Sequence, residues 1–226
     1  MLKALVIGSS GGIGNAFFEL LRADKRFDYV GSLSRAQDSL DVTDETAVAN
    51  AADKMRNQGL EFDLIINATG ALLINGTGPE KTIKALTASS MSNQFLVNAI
   101  GPALLLKHFH PLLPRNRRCV FASLSARVGS ISDNRLGGWV SYRAAKAAQN
   151  QIIKTASLEI ARTHPYSIVV ALHPGTVSTR LSQPFSAGRT TLSPSQSAAM
   201  LLIAMEDLSP EQTGGLFAYD GNAIEW

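Results

Sequence analysis

Residues 5–21, "LVIGSSGGIGNAFFELL", set a short apolar run, a glycine-rich turn and an amphipathic stretch one after another. The run reads as a buried strand and the stretch as a helix with one apolar face. Between them Gly8, Gly12 and Gly14 let the chain turn sharply, bring bare backbone N–H groups to the positive helix end, and pack helix against strand. A pyrophosphate suits that geometry, and the strand-turn-helix context turns a weak glycine pattern into an expectation of dinucleotide binding. Ser10 and Ile13, inside the same turn, are grouped with the glycines as cofactor contacts.

The next strand should end on the residue that reads the adenosine ribose: an acid for NAD, an arginine nearby for the 2′-phosphate of NADP. Here "YVGSLSRAQ" from residue 29 offers Ser34 and Arg35 and no acid at its carboxyl end, while Asp28 sits at the wrong end. NADP(H) is therefore expected, with NAD(H) as the alternative. Gly11, just before Gly12, adds no basic residue to the site, which argues the other way.

The 226 residues, 45% hydrophobic and 17% charged, suit one soluble α/β domain spanning 1–226. Lysines and arginines number 21 against 18 acids, a formal charge of +3, compatible with an anionic ligand and too mild and dispersed for nucleic acid. Arg115, Arg117 and Arg118 cluster beside Pro114 and read as a solvated turn. The lone Cys119 excludes an internal disulfide, suits a reducing compartment and reads as a core thiol. Neither a membrane span nor a leader peptide is visible, so a cytoplasmic protein without membrane or metal is expected.

Strand-like runs at 2–8, 28–33, 62–67, 118–124, 167–172 and 215–219 alternate with helical stretches near 12–24, 43–58, 93–113, 139–164 and 193–206. That alternation predicts a parallel sheet with helices on both faces. Thr43 before Asp44 and Glu45, and Ser193 before Pro194, mark helix starts. The loop from residue 70 and the stretch 175–192 resist assignment. In "SYRAAK", 141–146, Tyr142 and Lys146 stand four apart on one helical face among alanines, which lets a phenol and an ammonium share a neighbourhood open to other groups.

Gly8-x-x-x-Gly12-x-Gly14, "NATG" at 67–70, Asn98, "SYRAAK" and "HPGTVST" at 173–179 occur in the order that resembles the short-chain dehydrogenase/reductase family. "GSISDN", "GGWVSYRAAKAA" and "GLFAYDGNAIEW" are similar to its C-factor-like subgroup. The resemblance implies a Rossmann-type doubly wound sheet of about seven strands and a catalytic Asn98, Ser125, Tyr142 and Lys146. Tyr142 would exchange a proton with the substrate oxygen. Lys146 would favour its phenolate and bind the nicotinamide ribose. Asn98, just before Gly101 and Pro102 in an apolar helix, would hold a water, or else satisfy carbonyls freed by the proline. "FASLSARVG" splits the family's paired serines: residues i and i+2 share a strand face, so both could point to substrate, and Ser125 is favoured over Ser123 as nearer the carboxyl end.

Further positions follow from the same resemblance. Asp41 and Val42 match the adenine-contacting pair, and Asn67, Ala68 and Gly70 the segment under the adenosine. Pro174, Gly175, Val177 and Thr179 match the loop on the nicotinamide amide, and a short segment after Thr179 implies a small lid. His173, without a visible partner, reads as structural, and His108 and His110 as surface or interface residues. The expected activity is NADP-dependent hydride transfer between nicotinamide and a small carbonyl or alcohol, in a homodimer or homotetramer. The alternatives are an NAD-dependent alcohol dehydrogenase and a cofactor-binding regulatory protein with little turnover.

Overall fold

The computed structural model describes residues 1–179 and 190–226. Along β1 (Leu2–Ile7) side chains alternate between two buried clusters: Leu5 and Ile7 join one with Val48, Phe109 and Ile153, and Ala4 and Val6 another with Phe17, Leu201 and Met205. A strand covered on both faces must be apolar throughout, which is why "LKALVI" shows no polar alternation beyond its first turn. β1, β2 (Phe27–Leu33), β3 (Leu64–Asn67), β4 (Cys119–Leu124), β5 (Ser167–His173) and β6 (Leu216–Ala218) make one parallel sheet in the order β2-β1-β3-β4-β5-β6.

In chain order the helices are α1 (Gly12–Ala23), α2 (Arg35–Asp38), α3 (Glu45–Asn57), α4 (Ala88–Phe95), α5 (Gly101–Phe109), α6 (Val140–Ile160) and α7 (Pro194–Glu206). α1 and α7 cover one face through Phe17, Leu21, Leu201 and Met205; α3, α5 and α6 cover the other through Val48, Leu105 and Ile153. The strand order reverses at β1, so the crevice beyond the carboxyl ends of β1 and β3 is the natural ligand position.

The six strands found among the described residues match the sequence reading closely, against the about seven that the family resemblance implies. After β6 the chain returns, and Ala223 meets Phe217 in an isolated antiparallel bridge. α3 is capped by Asp44, whose carboxylate accepts from Thr46 and Ala47 N–H, rather than by Thr43. Ser193 and Gln196 form a capping box with Pro194 in the first turn of α7. The arginine turn is not simply solvated. Arg117 pairs with Asp63 at 2.6 Å, and Arg118 donates to the carbonyls of Met205, Glu206 and Leu208, closing the end of α7. Cys119 is fully buried, with its thiol pushed up to about 11 by burial.

The stretch expected as a helix over 93–113 begins earlier and changes pitch. α4 leads into a π turn, Leu96–Ile100, in which Gly101 N–H reaches back five residues to the Leu96 carbonyl, and α5 follows with Pro102 in its first turn. Pro102 has no N–H to give the Asn98 carbonyl, so the winding widens where that bond would fall.

Candidate active site

The glycine turn is fixed by close approach. Gly8 has φ +90°, a left-handed value that disfavours side chains, and a Cβ on Gly14 would lie 2.1 Å from the Gly8 carbonyl oxygen. A Cβ on Gly12 would stand 2.9 Å from the Thr179 methyl, so a side chain there would press into the space between α1 and the loop after β5. The N-terminus of α1 opens on a cleft of about 620 Å³ lined by Ser10 to Asn15, Ala68 to Ala71, Ser125, Tyr142, Lys146, Pro174 and Thr179. Backbone N–H groups at a helix end, bare glycine and dinucleotide-scale volume fit a nicotinamide dinucleotide.

Just past the carboxyl end of β2 Ser34 is buried and turned to structural work. Its hydroxyl accepts from Gln37 N–H at 3.1 Å and caps α2. Arg35 is exposed at the first position of α2. An acid does reach this strand end: Asp38 folds back so that its carboxylate accepts from Ser34 N–H at 2.8 Å. The sequence reading missed it because Asp38 comes from the following helix, not the strand. Thr43, through hydroxyl and N–H, holds the Asp41 carboxyl below its ordinary value, with Arg35 adding to the effect. Val42 packs on α5, where a Cβ on Gly101 would meet its Cγ2 at 3.0 Å.

The four residues expected to act together do converge. Lys146 Nζ donates to the Leu124 carbonyl at 3.0 Å and to Gln149 Oε1 at 2.8 Å, and lies 5.9 Å from the centre of the Tyr142 ring. A Cβ on Gly70 would fall 3.1 Å from Asn98 Oδ1 and 3.6 Å from Lys146 Nζ, so bare glycine lets the two sit in one corner. The Asn98 side chain is turned to the loop after β3. Its Oδ1 accepts from Ala71 N–H at 3.0 Å and its Nδ2 donates to the Ala71 carbonyl at 2.9 Å and to Gln94, clamping the loop after β3 to the π turn.

Ser125 and Ser123 are told apart by their partners. β4 ends at Leu124, so Ser125 begins the loop, lines the crevice and donates to Asn150 Oδ1 at 2.6 Å. Ser123 stays under the sheet surface, 1% exposed, accepting from Asn67 and Gln149 at 2.8 Å each. Asn67 likewise turns its side chain inward, to Ser123 and Thr69, and the crevice wall here is made by Ala68 to Ala71.

Burial sets the electrostatics. It raises the Tyr142 phenol above its ordinary value and pulls the Lys146 ammonium down to about 7. Desolvation is the cause of both shifts. α6 is anchored ahead of Tyr142 by Glu80, buried, whose carboxylate accepts from Ser141 N–H at 3.1 Å, from the Ser141 hydroxyl and from Ser90. Glu80 lies in the loop that resisted assignment, and a buried acid at a helix N-terminus meets both exposed N–H groups and the helix dipole.

A second cleft of about 450 Å³ adjoins the first and shares Ile13, Ser125, Tyr142, Pro174 and Thr179 with it. Leu72, Val128, Leu136 and Trp139 give it apolar walls. His173 lines it at the end of β5, edge-on to Tyr219 at 6.4 Å; its Nδ1 is buried without a hydrogen-bond partner among the described residues, and burial lowers its pKa to about 4. Gly175 (φ +79°) faces the Tyr219 ring, Pro174 accepts from Ser197 at 2.7 Å, and Val177 bridges to Leu192. The lid expected after Thr179 falls outside the described residues.

A family model described as Enoyl-(Acyl carrier protein) reductase matches residues 28–219. The chain is 31% identical to the C-signal of Myxococcus xanthus, over 69% of this chain and 92% of that protein. It is 27% identical to the 1-hydroxy-2-glutathionyl-2-methyl-3-butene dehydrogenase of Rhodococcus sp. (strain AD45), over all of both chains. The crystal structure of an NADPH-bound carbonyl reductase from chicken fatty liver superposes with a TM-score of 0.84 at 26% identity, covering 100% of this chain and 99% of that one. The chain thus belongs to the short-chain dehydrogenase/reductase family, whose members are oxidoreductases.

Proposed function

We propose that the protein is an NADPH-dependent carbonyl reductase, working reversibly on small ketones, aldehydes or the corresponding alcohols. The observation that carries this reading is the shared wall: Tyr142 and Ser125 face both the nucleotide-sized cleft and the smaller, apolar one. The nicotinamide, when bound, supplies the hydride to the carbonyl carbon. Ser125, turning its hydroxyl away from Asn150 Oδ1, donates a hydrogen bond to the carbonyl oxygen as negative charge builds there, and Tyr142 gives it the proton. Lys146 sits where its ammonium, protonated, stabilises the phenolate left behind. Gly8, Ser10, Gly12, Ile13 and Gly14 hold the pyrophosphate, Arg35 the 2′-phosphate, and Pro174 to Thr179 the nicotinamide end.

The Rhodococcus relative is named for oxidising a hydroxylated compound and the chicken protein for reducing carbonyls, which supports alcohol–carbonyl interconversion here. The carboxylate of Asp38 beside Ser34 favours a second reading, NAD as cofactor. The deciding experiment follows cofactor absorbance with purified protein against a carbonyl panel, with NADPH and NADH compared. NADPH-dependent turnover that falls by about 10³-fold in Tyr142→Phe, with NADPH binding retained, is the expected outcome. Turnover unchanged by that substitution, or absent across the panel, removes the reading.

A further inference from the structure

We infer that the smaller cleft selects carbonyl substrates that also bear a carboxylate. This rests on the carbonyl reductase reading and adds the substrate class to it. Tyr142 and Ser125 lie where the cleft meets the nucleotide crevice, Leu72, Val128 and Leu136 supply apolar wall, and Arg127, Arg135 and Arg143 line it together with one acid among the described residues, Asp133.

The arginines are not spent on internal pairing. Arg127 and Asp133 approach only to 3.7 Å and both side chains are about half exposed, a pair that contributes little. Arg135 makes no hydrogen bond or ion pair among the described residues. Arg143 is held in place through donation to the carbonyls of Gly138 at 3.0 Å and Val128 at 3.4 Å, which fixes a guanidinium whose charge neither neutral carbonyl cancels.

The cationic field also reaches inward. After burial, Arg127 is the next cause that keeps His173 uncharged, ahead of the opposing Asp220 and Asp133. A neutral imidazole and a neutral phenol in the same cleft as three arginines, one of them held in place, suit a substrate with an uncharged reacting end and an anionic group elsewhere. Arginine is suited to this role because its planar fork meets a carboxylate in two parallel hydrogen bonds.

The test compares straight-chain keto acids, with the ketone on the penultimate carbon, against their own methyl esters, so that carbonyl reactivity is matched and only the charge differs. Each is assayed by NADPH consumption at low and moderate salt. The expected result is a preference for the acid of about tenfold in kcat/KM, expressed in KM and shrinking with salt. In an Arg127→Gln/Arg135→Gln double variant the acid-to-ester ratio falls to near unity; Arg143 is left intact because it also supports the backbone. Acid and ester reduced equally well by the unaltered protein, or a preference that survives the double variant, overturns the inference while leaving the reductase reading in place. Failure to reduce either compound or any other carbonyl, with NADPH bound, removes that reading and the inference with it.

Discussion

The two walls of the nucleotide crevice are built from different materials. The α1 wall is backbone: Gly8, Gly12 and Gly14 act by the side chains they lack, and a Cβ at Gly14 would collide with the Gly8 carbonyl at 2.1 Å. The α6 wall is a chain of buried side-chain hydrogen bonds running from Asn67 through Ser123 and Gln149 to Lys146. A steric requirement on backbone is written locally in the sequence. A hydrogen-bond chain is assembled from β3, β4 and α6, and no local pattern announces it.

The largest effect expected from breaking this contrast is at the backbone wall. Gly14→Ala should destabilise the chain by about 3 kcal/mol in denaturant unfolding and weaken nucleotide binding, because the overlap is with a main-chain atom that cannot rotate away. Gly11→Ala provides the sharper comparison: the nearest atom to its Cβ is 3.4 Å away and its φ is −78°, so near-neutral stability is expected. Equal losses at the two positions would mean the wall is not steric in origin.

On the side-chain wall, Gln149→Leu removes an acceptor from Lys146 and a donor from Ser123 at a fully buried position, for an expected loss of about 2 kcal/mol. No loss would show that the network is replaceable by packing. Lys146 also gives stability a pH dependence. Its folded value of about 7 lies below the ordinary 10.5, so over that window the unfolded chain binds the proton more tightly and stability rises with pH. Above about pH 10 the raised phenol of Tyr142 works in the opposite sense, since the unfolded chain then loses its proton first. Unfolding of the nucleotide-free protein across this range should show a slope of at most about 1.4 kcal/mol per pH unit, absent in Lys146→Met. The smallest effect is at the exposed rim: Arg35→Ala should weaken NADPH about fivefold and leave NADH nearly unchanged, measured by titration.

The same contrast explains what could be read in advance. The strands of the sheet were legible from apolar runs, and α1 from its glycines. α2 has only four residues, too few for a periodicity, and the segment of α4, "ASSMSNQF", carries too little apolar pattern to mark its start at Ala88. At the site, Tyr142 and Lys146 were visible because a helix fixes their spacing, and Ser125 because it stands just past the carboxyl end of a strand. Asp38, Glu80, Gln149 and Asn150 were not, since each acts on a residue from another element or folds back on its own.

The π turn at Leu96–Ile100 gives the helix one residue more than ordinary winding would hold over the same height. Side chains before and after it are thereby offset by about a quarter turn relative to an uninterrupted helix. That offset lets one rod serve two masters: its earlier half can aim Gln94 and the turn itself Asn98 at the loop after β3, while its later half still lays Leu105 and Phe109 on the sheet. An evenly wound rod of this sequence could satisfy the crevice or the core, but not both in the same register.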